Sequence, residues 1–301
     1  METYGQQELF PKETPAPSAP SSAMWNLWHG CTKVSPGCAH CYVYRRDAKF
    51  GKDTSKVHKT QNFTLPVRRY RSGPMKGEYK YPAGTTFFTC FTSDFFHPAA
   101  DEWRPEAWRM MWERSDCSFY MVTKRPERIL EALPPDWGTG YENVEICCTC
   151  ENQRMTDKRL PVFLELPIPN KSIIHEPMLE RINIRHYLKQ YGSQIRSVSC
   201  GGESGPEARI CDYAWVLDTH LQCVEYGVAF HYHQTGARLW RGDKVYEIPR
   251  EYQHEQAKKA LITDAYIERF NKEMKVLAPY LKVKLEKAQV FGYQENLIIR
   301  N

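Results

Sequence analysis

Trp25-Asn-Leu-Trp-His-Gly-Cys31-Thr-Lys-Val-Ser-Pro-Gly-Cys38-Ala-His-Cys41-Tyr42 places three cysteines within eleven residues, spaced C-x6-C-x2-C. Glycine precedes the first two cysteines, and Pro36 lies between them. Glycine and proline favour a tight, non-helical loop that can turn several thiolates toward one centre. Three local thiolates with no fourth nearby describe a metal site one ligand short, and an open position is what a catalytic centre needs. The loop reads as the cradle of a 4Fe–4S cluster held by Cys31, Cys38 and Cys41. On spacing alone, a Cys3His zinc site using His29 or His40 fits equally well. A disulfide framework fits worse, because the 11 cysteines are odd in number, no apolar signal segment leads, and 301 residues can build a core unaided. Reduced thiols in a cytoplasmic protein are the expectation.

Outward from this loop, short apolar or β-branched runs recur at Thr85–Phe91, Ser118–Thr123, Val144–Thr149, Lys171–Ile174, Ile195–Ser199 and Val228–Tyr232. A short strand at Met24–Trp28 would precede the loop. Helical stretches such as Pro105–Arg114 and Tyr213–Gln222 separate most of these runs. Strands alternating with helices predict βα units and a parallel sheet buried on both faces. The expected fold is α/β, a partial (β/α) TIM-like barrel of about seven largely parallel strands, one short of a closed eight. Residues 24–250 would form it, after a flexible Pro- and Ser-rich leader over 1–23 and before a C-terminal helical extension over 251–301.

Composition narrows the class. A hydrophobic share of 42% supplies a core, yet no apolar run approaches a membrane span. A net charge of +5 permits phosphate contact without arguing for nucleic-acid binding. Eight tryptophans leave rings to stack on a planar ligand as well as to fill the core.

Polar residues close strand after strand: Ser93, Asp94 and His97; Lys124 and Arg125; Glu151; His175 and Glu176; Gly201, Gly202 and Glu203; His233 and Gln234. The C-terminal ends of strands are where barrels place active sites. Cys147, Cys148 and Cys150 fall on one strand and its end, so alternation separates Cys147 from the other two, and all three are expected to be buried structural thiols.

The Cys31–Tyr42 string with its Trp25-Asn start, together with Ser93-Asp-x-Phe-His97, Thr123–Arg128, Glu176-Pro177 and Gly201–Gly205, resembles the phage Gp37/Gp68-like proteins (DUF5131). These are treated as a non-standard branch of the radical S-adenosylmethionine enzymes. The resemblance runs from Trp25 to Gly236 and favours iron–sulfur over zinc. It departs from the usual pattern at Leu27, Cys148–Asn152, His175 and His233. It implies a 4Fe–4S cluster on Cys31, Cys38 and Cys41, with S-adenosyl-L-methionine on the unique iron, cleaved on reduction to a 5′-deoxyadenosyl radical. An external electron donor of flavodoxin or ferredoxin type is implied too. In that setting His40 would lie beside the adenine, and Ser93 and Asp94 would accept from the cofactor's ammonium group. Glu151 would accept from a ribose hydroxyl. Gly201 and Gly202 would admit an adenine or substrate edge, and Lys124 would hold a carboxylate or phosphate.

His97, His175, Glu176, Glu203, His233 and Gln234 offer the donors, acceptors and general acids that read a purine-like heterocycle. A looser likeness to queuine lyase makes release of a 7-deazaguanine base from its nucleoside or nucleotide the first expectation. The alternative is repair or modification of a base in DNA or RNA, supported by the basic, tyrosine-interleaved stretch Arg68–Tyr81. A non-catalytic zinc-binding adaptor is a third reading.

Overall fold

The computed structural model describes residues 21–260, so the leader up to residue 20 and the extension beyond 260 lie outside the described residues. Seven strands make one parallel sheet: β1 (Ser22–Trp25), β2 (Thr86–Thr89), β3 (Ser118–Thr123), β4 (Val144–Thr149), β5 (Asn170–His175), β6 (Ile195–Gly201) and β7 (Ala229–Gln234). They pair in chain order from β1 to β7, every neighbour parallel, and the sheet curls into a half-barrel. This is the expected partial barrel.

Helices follow most strands: α1 (Tyr42–Ala48), α2 (Arg104–Glu113), α3 (Ile129–Ala132), α4 (Gln153–Leu164), α5 (Arg185–Tyr191) and α6 (Tyr213–Tyr226). Local chemistry starts two of them. The Asn152 side chain accepts from the Met155 N–H, and that of Asp212 from the Ala214 N–H, each satisfying a backbone donor that the first turn leaves unpaired. In α4 the buried residues are Met155, Thr156, Arg159, Leu160, Phe163 and Leu164, the stripe of a helix lying against a sheet. A further helix covers 250–260.

The core lies between these helices and one face of the sheet. Phe87, Phe119, Met121, Ile146, Cys148, Ile173 and Val198 pack there with Trp108, Leu160, Phe163 and Leu217. Phe87 and Phe119 stack across β2 and β3 with ring centres 5.3 Å apart. Each such side chain contributes about 1.5–3 kcal/mol by leaving water. The opposite face, predicted to be equally apolar, is instead polar in its lower half. Ser172 Oγ lies 2.7 Å from Glu145 Oε1 and 3.1 Å from Ser197 Oγ, on three adjacent strands. A half-barrel leaves this inner face without a second layer of helices, so alternation replaces the continuous apolar run.

Two boundaries differ from expectation. The first strand ends at Trp25, and Trp28–His29 turns away to pair antiparallel with His58–Lys59. A small sheet joins Cys211–Asp212, ahead of α6, to Arg238–Arg241 and Lys244–Glu247 after β7, which no sequence pattern announced. Among the described residues no helix is long and apolar enough to cross a membrane.

Candidate active site

The cysteine loop caps the C-terminal end of the sheet, leaving β1 and running into α1. Gly30 opens it at φ +99°, with the space of its missing Cβ only 2.6 Å from the Lys56 carbonyl oxygen, so a side chain there meets both backbone strain and a clash. The Cys31 N–H donates to the Thr54 carbonyl at 2.8 Å, and Tyr44 Oη donates to the Cys31 carbonyl at 2.5 Å. Ser93 Oγ donates to the Gly30 carbonyl.

Three ion pairs, each rooted beside the end of a different strand, finish on this loop. Asp94 accepts from Arg125 Nη1 at 2.9 Å, and Arg125 Nη2 donates to the Thr32 carbonyl at 2.8 Å. Glu151 accepts from Arg159 Nη1 at 2.6 Å through one oxygen and from the Gly37 N–H at 3.1 Å through the other. Glu203 accepts from Arg209 Nη2 at 2.6 Å, and the same Nη2 donates to the Pro36 carbonyl at 2.9 Å. The first two pairs are at most 7% exposed, and breaking one would strand a buried charge. Burial pushes the Glu151 carboxyl up, but Arg159, Ser35, Lys124 and the Gly37 N–H together hold it below the usual range. Burial likewise opposes ionisation of Glu203, and Arg209 overcomes it.

All eleven cysteines are free thiols, and only Cys31, Cys38 and Cys41 are partly exposed; the other eight are buried. Arg125 Nη1 lies 3.6 Å from Cys31 Sγ, a cation set against sulfur. Burial and then Asp94 push the Cys31 thiol up to about 11 against the opposing pull of Arg125, so the free thiol keeps its proton until a metal displaces it. Among the described residues no set of three His, Cys, Asp or Glu side chains is drawn together at metal-ligand spacing. The donor set nevertheless suits an iron–sulfur cluster: three accessible soft ligands on one braced loop, with buried thiols everywhere else.

Beyond the loop, Glu176 is bound by two consecutive residues of β7. His233 Nδ1 lies 2.8 Å from Glu176 Oε2, and Gln234 Nε2 donates to Oε1. Neighbours along a strand normally point to opposite faces. Here the β6–β7 register slips between Tyr232 and Gln234, and this bulge turns both side chains toward one carboxylate. The bond to Glu176 holds His233 above its usual value against burial. Tyr42, next to Cys41, interacts electrostatically with both Cys41 and Glu176.

The family profile DUF5131, described as a protein of unknown function, matches residues 20–274. The chain belongs to this family. Comparison with curated proteins and with solved structures found no match.

In this DUF5131 chain the predicted residues divide into two groups. Glu176, His233 and Gln234 meet as one cluster, and Lys124 stands near Glu151 with no ion-pair partner among the described residues. The others are committed elsewhere. Asp94 accepts from Thr123 Oγ1, the Lys124 N–H, the Phe96 N–H and Arg125, which leaves no capacity for a cofactor ammonium. Ser93, Glu151 and Glu203 brace the loop rather than face a ribose or a substrate. His40 Nδ1 lies 3.3 Å from Glu207 Oε2 on the rim. The close approaches at Gly201 and Gly202 are made by the chain itself: their missing Cβ positions lie 2.7 Å from the Glu176 carboxyl and 2.4 Å from the Thr235 carbonyl. His97 caps a turn and contacts Thr32 Oγ1 at 3.0 Å. Cys148 and Cys150 join the core, whereas Cys147 lies 3.9 Å from Glu145 on the inner face.

His175 is also misplaced by the sequence reading. Strand alternation sends it to the helix-facing side, fully buried, with Nδ1 2.6 Å from the Cys150 carbonyl oxygen. Burial pushes it down to about 4 from an ordinary 6.5. Between these values the unfolded chain takes up a proton that the native protein refuses, so stability is complete above pH 6.5 and falls as pH drops toward 4. His175→Gln should remove up to about 3 kcal/mol of that pH-dependent loss, read from urea denaturation between the two values. An unchanged slope would place the titration elsewhere.

Arg159 and Arg209 escaped the sequence reading. Arg159 had a signal: it stands in the buried stripe of α4, where an arginine needs a carboxylate, and Glu151 lies just upstream. Arg209 lies in an irregular segment with no periodicity to mark it.

Proposed function

We propose that this chain is a radical S-adenosylmethionine enzyme acting on a nucleoside-like substrate, with release of a 7-deazaguanine base as the first choice of reaction. The observation that carries the reading is the exposure of Cys31, Cys38 and Cys41 alone among eleven thiols, on a loop that three ion pairs hold over the mouth of a parallel half-barrel. These three residues would hold the 4Fe–4S cluster. Bound there, the cluster and S-adenosylmethionine would supply radical chemistry able to abstract a ribose hydrogen and weaken a base–sugar bond.

The chain's own residues supply binding and order. Glu176 and Gln234 offer the paired acceptor and donor that a purine-like edge requires. His233, bonded to Glu176, holds a proton at the mouth that a departing base needs. Tyr120 and Phe91 stack on the inner face, ring centres 6.3 Å apart, and close the apolar side. Eleven reduced cysteines suit a cytoplasmic setting, where a flavodoxin- or ferredoxin-type protein would deliver the electron.

The nucleic-acid alternative rests on a stretch placed away from this mouth. Arg68–Tyr81 runs to the opposite, N-terminal end of the strands, where Arg114 donates to the Tyr81 carbonyl and Tyr79 Oη donates to Glu113.

Anaerobic purification tests the reading. A brown protein with roughly four irons per chain that releases 5′-deoxyadenosine under reduction is expected. A colourless zinc protein would overturn it. Gln234→Ala and Glu176→Ala should keep slow cofactor cleavage yet lose base release by about 100-fold, because a polar edge left unpaired is strongly rejected. Base release at the unmodified rate in both variants would move the substrate elsewhere.

A further inference from the structure

A second charged surface adjoins Glu176. The helix over 250–260 buries Gln253 and Ala257, and beside that stripe it carries Arg250, His254 and Lys258, spaced one turn apart and exposed. His254 Nδ1 lies 2.9 Å from the His233 carbonyl oxygen, and the two rings are 4.7 Å apart. His231, two residues upstream on β7, has its ring 6.1 Å from that of His233. Lys258 also acts on His231, and Arg250 acts on Tyr42 beside Cys41. Two permanent cations and three imidazoles therefore gather on one edge of the mouth.

The carboxylates nearby leave most of this charge uncompensated. Glu176 faces the group and pairs with His233 at 2.8 Å, while Gln234 donates to its other oxygen, so its single charge is set against that one imidazole. On the helix, Glu255 pairs with Lys259 at 2.7 Å, and Glu251 is exposed. Among the described residues Arg250, Lys258 and His231 have no ion-pair partner. Burial, and then the charge of His233, hold His231 below its usual value, a cost that a bound anion would relieve.

We propose that Arg250, His254, Lys258, His231 and His233 form a phosphate-binding rim, so that the substrate is a nucleoside monophosphate rather than the free nucleoside. The inference rests on reading the mouth as a substrate site. A phosphate monoester brings about −1.5 to −2 charges to one point at neutral pH, which suits groups clustered on one edge. A nucleic-acid strand carries one charge per phosphate, spread along its length.

Isothermal titration of the full chain with 7-deazaguanosine, its 5′-monophosphate, inorganic phosphate and a short single-stranded oligonucleotide tests the rim. The monophosphate should bind roughly tenfold tighter than the nucleoside, and inorganic phosphate should bind on its own. The double variant Arg250→Glu/Lys258→Glu, on exposed positions that leave the fold intact, should erase both effects. Equal affinity of the unmodified protein for nucleoside and monophosphate, or no heat and no phosphorus-31 line broadening with inorganic phosphate, would overturn the rim. So would phosphate binding that survives the double variant, or binding of the oligonucleotide alone. Failure of S-adenosylmethionine cleavage with the phosphate effects intact would sink the radical reading and support the rim.

Discussion

Cys31→Ala, Cys38→Ala and Cys41→Ala are each expected to yield a protein that cannot be reconstituted with iron and sulfide and that cleaves no cofactor. Cys148→Ala and Cys150→Ala should retain roughly four irons per chain. The contrast follows from exposure: the three loop thiols are partly open, while Cys148 and Cys150 sit in the apolar core between β4 and the helices. A cluster ligand must be reachable by iron and sulfide, and Cys148 and Cys150 in the core are not. Iron and sulfide analysis with electron paramagnetic resonance after reduction reads the result. A redox-active cluster surviving removal of all three loop cysteines would mean that the ligands lie elsewhere.

Breaking a brace should cost nearly as much as losing a ligand, by a different route. Asp94→Ala strands the Arg125 guanidinium, and Glu151→Ala strands that of Arg159, each 5% exposed or less. An unpaired buried charge costs about 3–5 kcal/mol. That is a large part of the stability of an ordinary domain, about 5–15 kcal/mol. The expected outcome is a lower urea midpoint at unchanged slope, together with poor retention of iron, because Thr32 and Gly37 lose their anchors. Removing both partners, as in Asp94→Leu/Arg125→Met, should restore most of the stability, since no buried charge remains. Iron retention should stay low in that variant, because the loop is still unbraced. A single variant that loses less than about 1 kcal/mol would show the pair to be dispensable.

The two outcomes separate what these residues do. Had Asp94 and Glu151 contacted the cofactor, as their strand-end positions imply, their loss would weaken binding and spare the fold. Their bonding instead assigns them to the cysteine loop that would hold the proposed cluster. Strand-end position is shared by residues that face the mouth and residues that hold its rim, and spacing along the chain does not distinguish them.

The sequence by itself determined the repeating strand–helix order, the parallel sheet and the cysteine loop. These depend on local facts: apolar runs of strand length, helical stripes such as that of α4, and glycines that permit a tight turn. The shared face of Cys148 and Cys150, opposite that of Cys147, also followed from strand alternation alone. Only the tertiary structure decided which polar residues remain available. Glu203 is separated from Pro36 by most of the chain, yet one arginine joins them. His175 and Glu176 are adjacent in sequence, but the pleat buries one and presents the other to the mouth. The bulge at His233 reversed the same rule on β7 and brought two neighbours onto one carboxylate. A side chain's chemistry is written in the sequence, but its partners are set by register and curl, which long-range packing fixes.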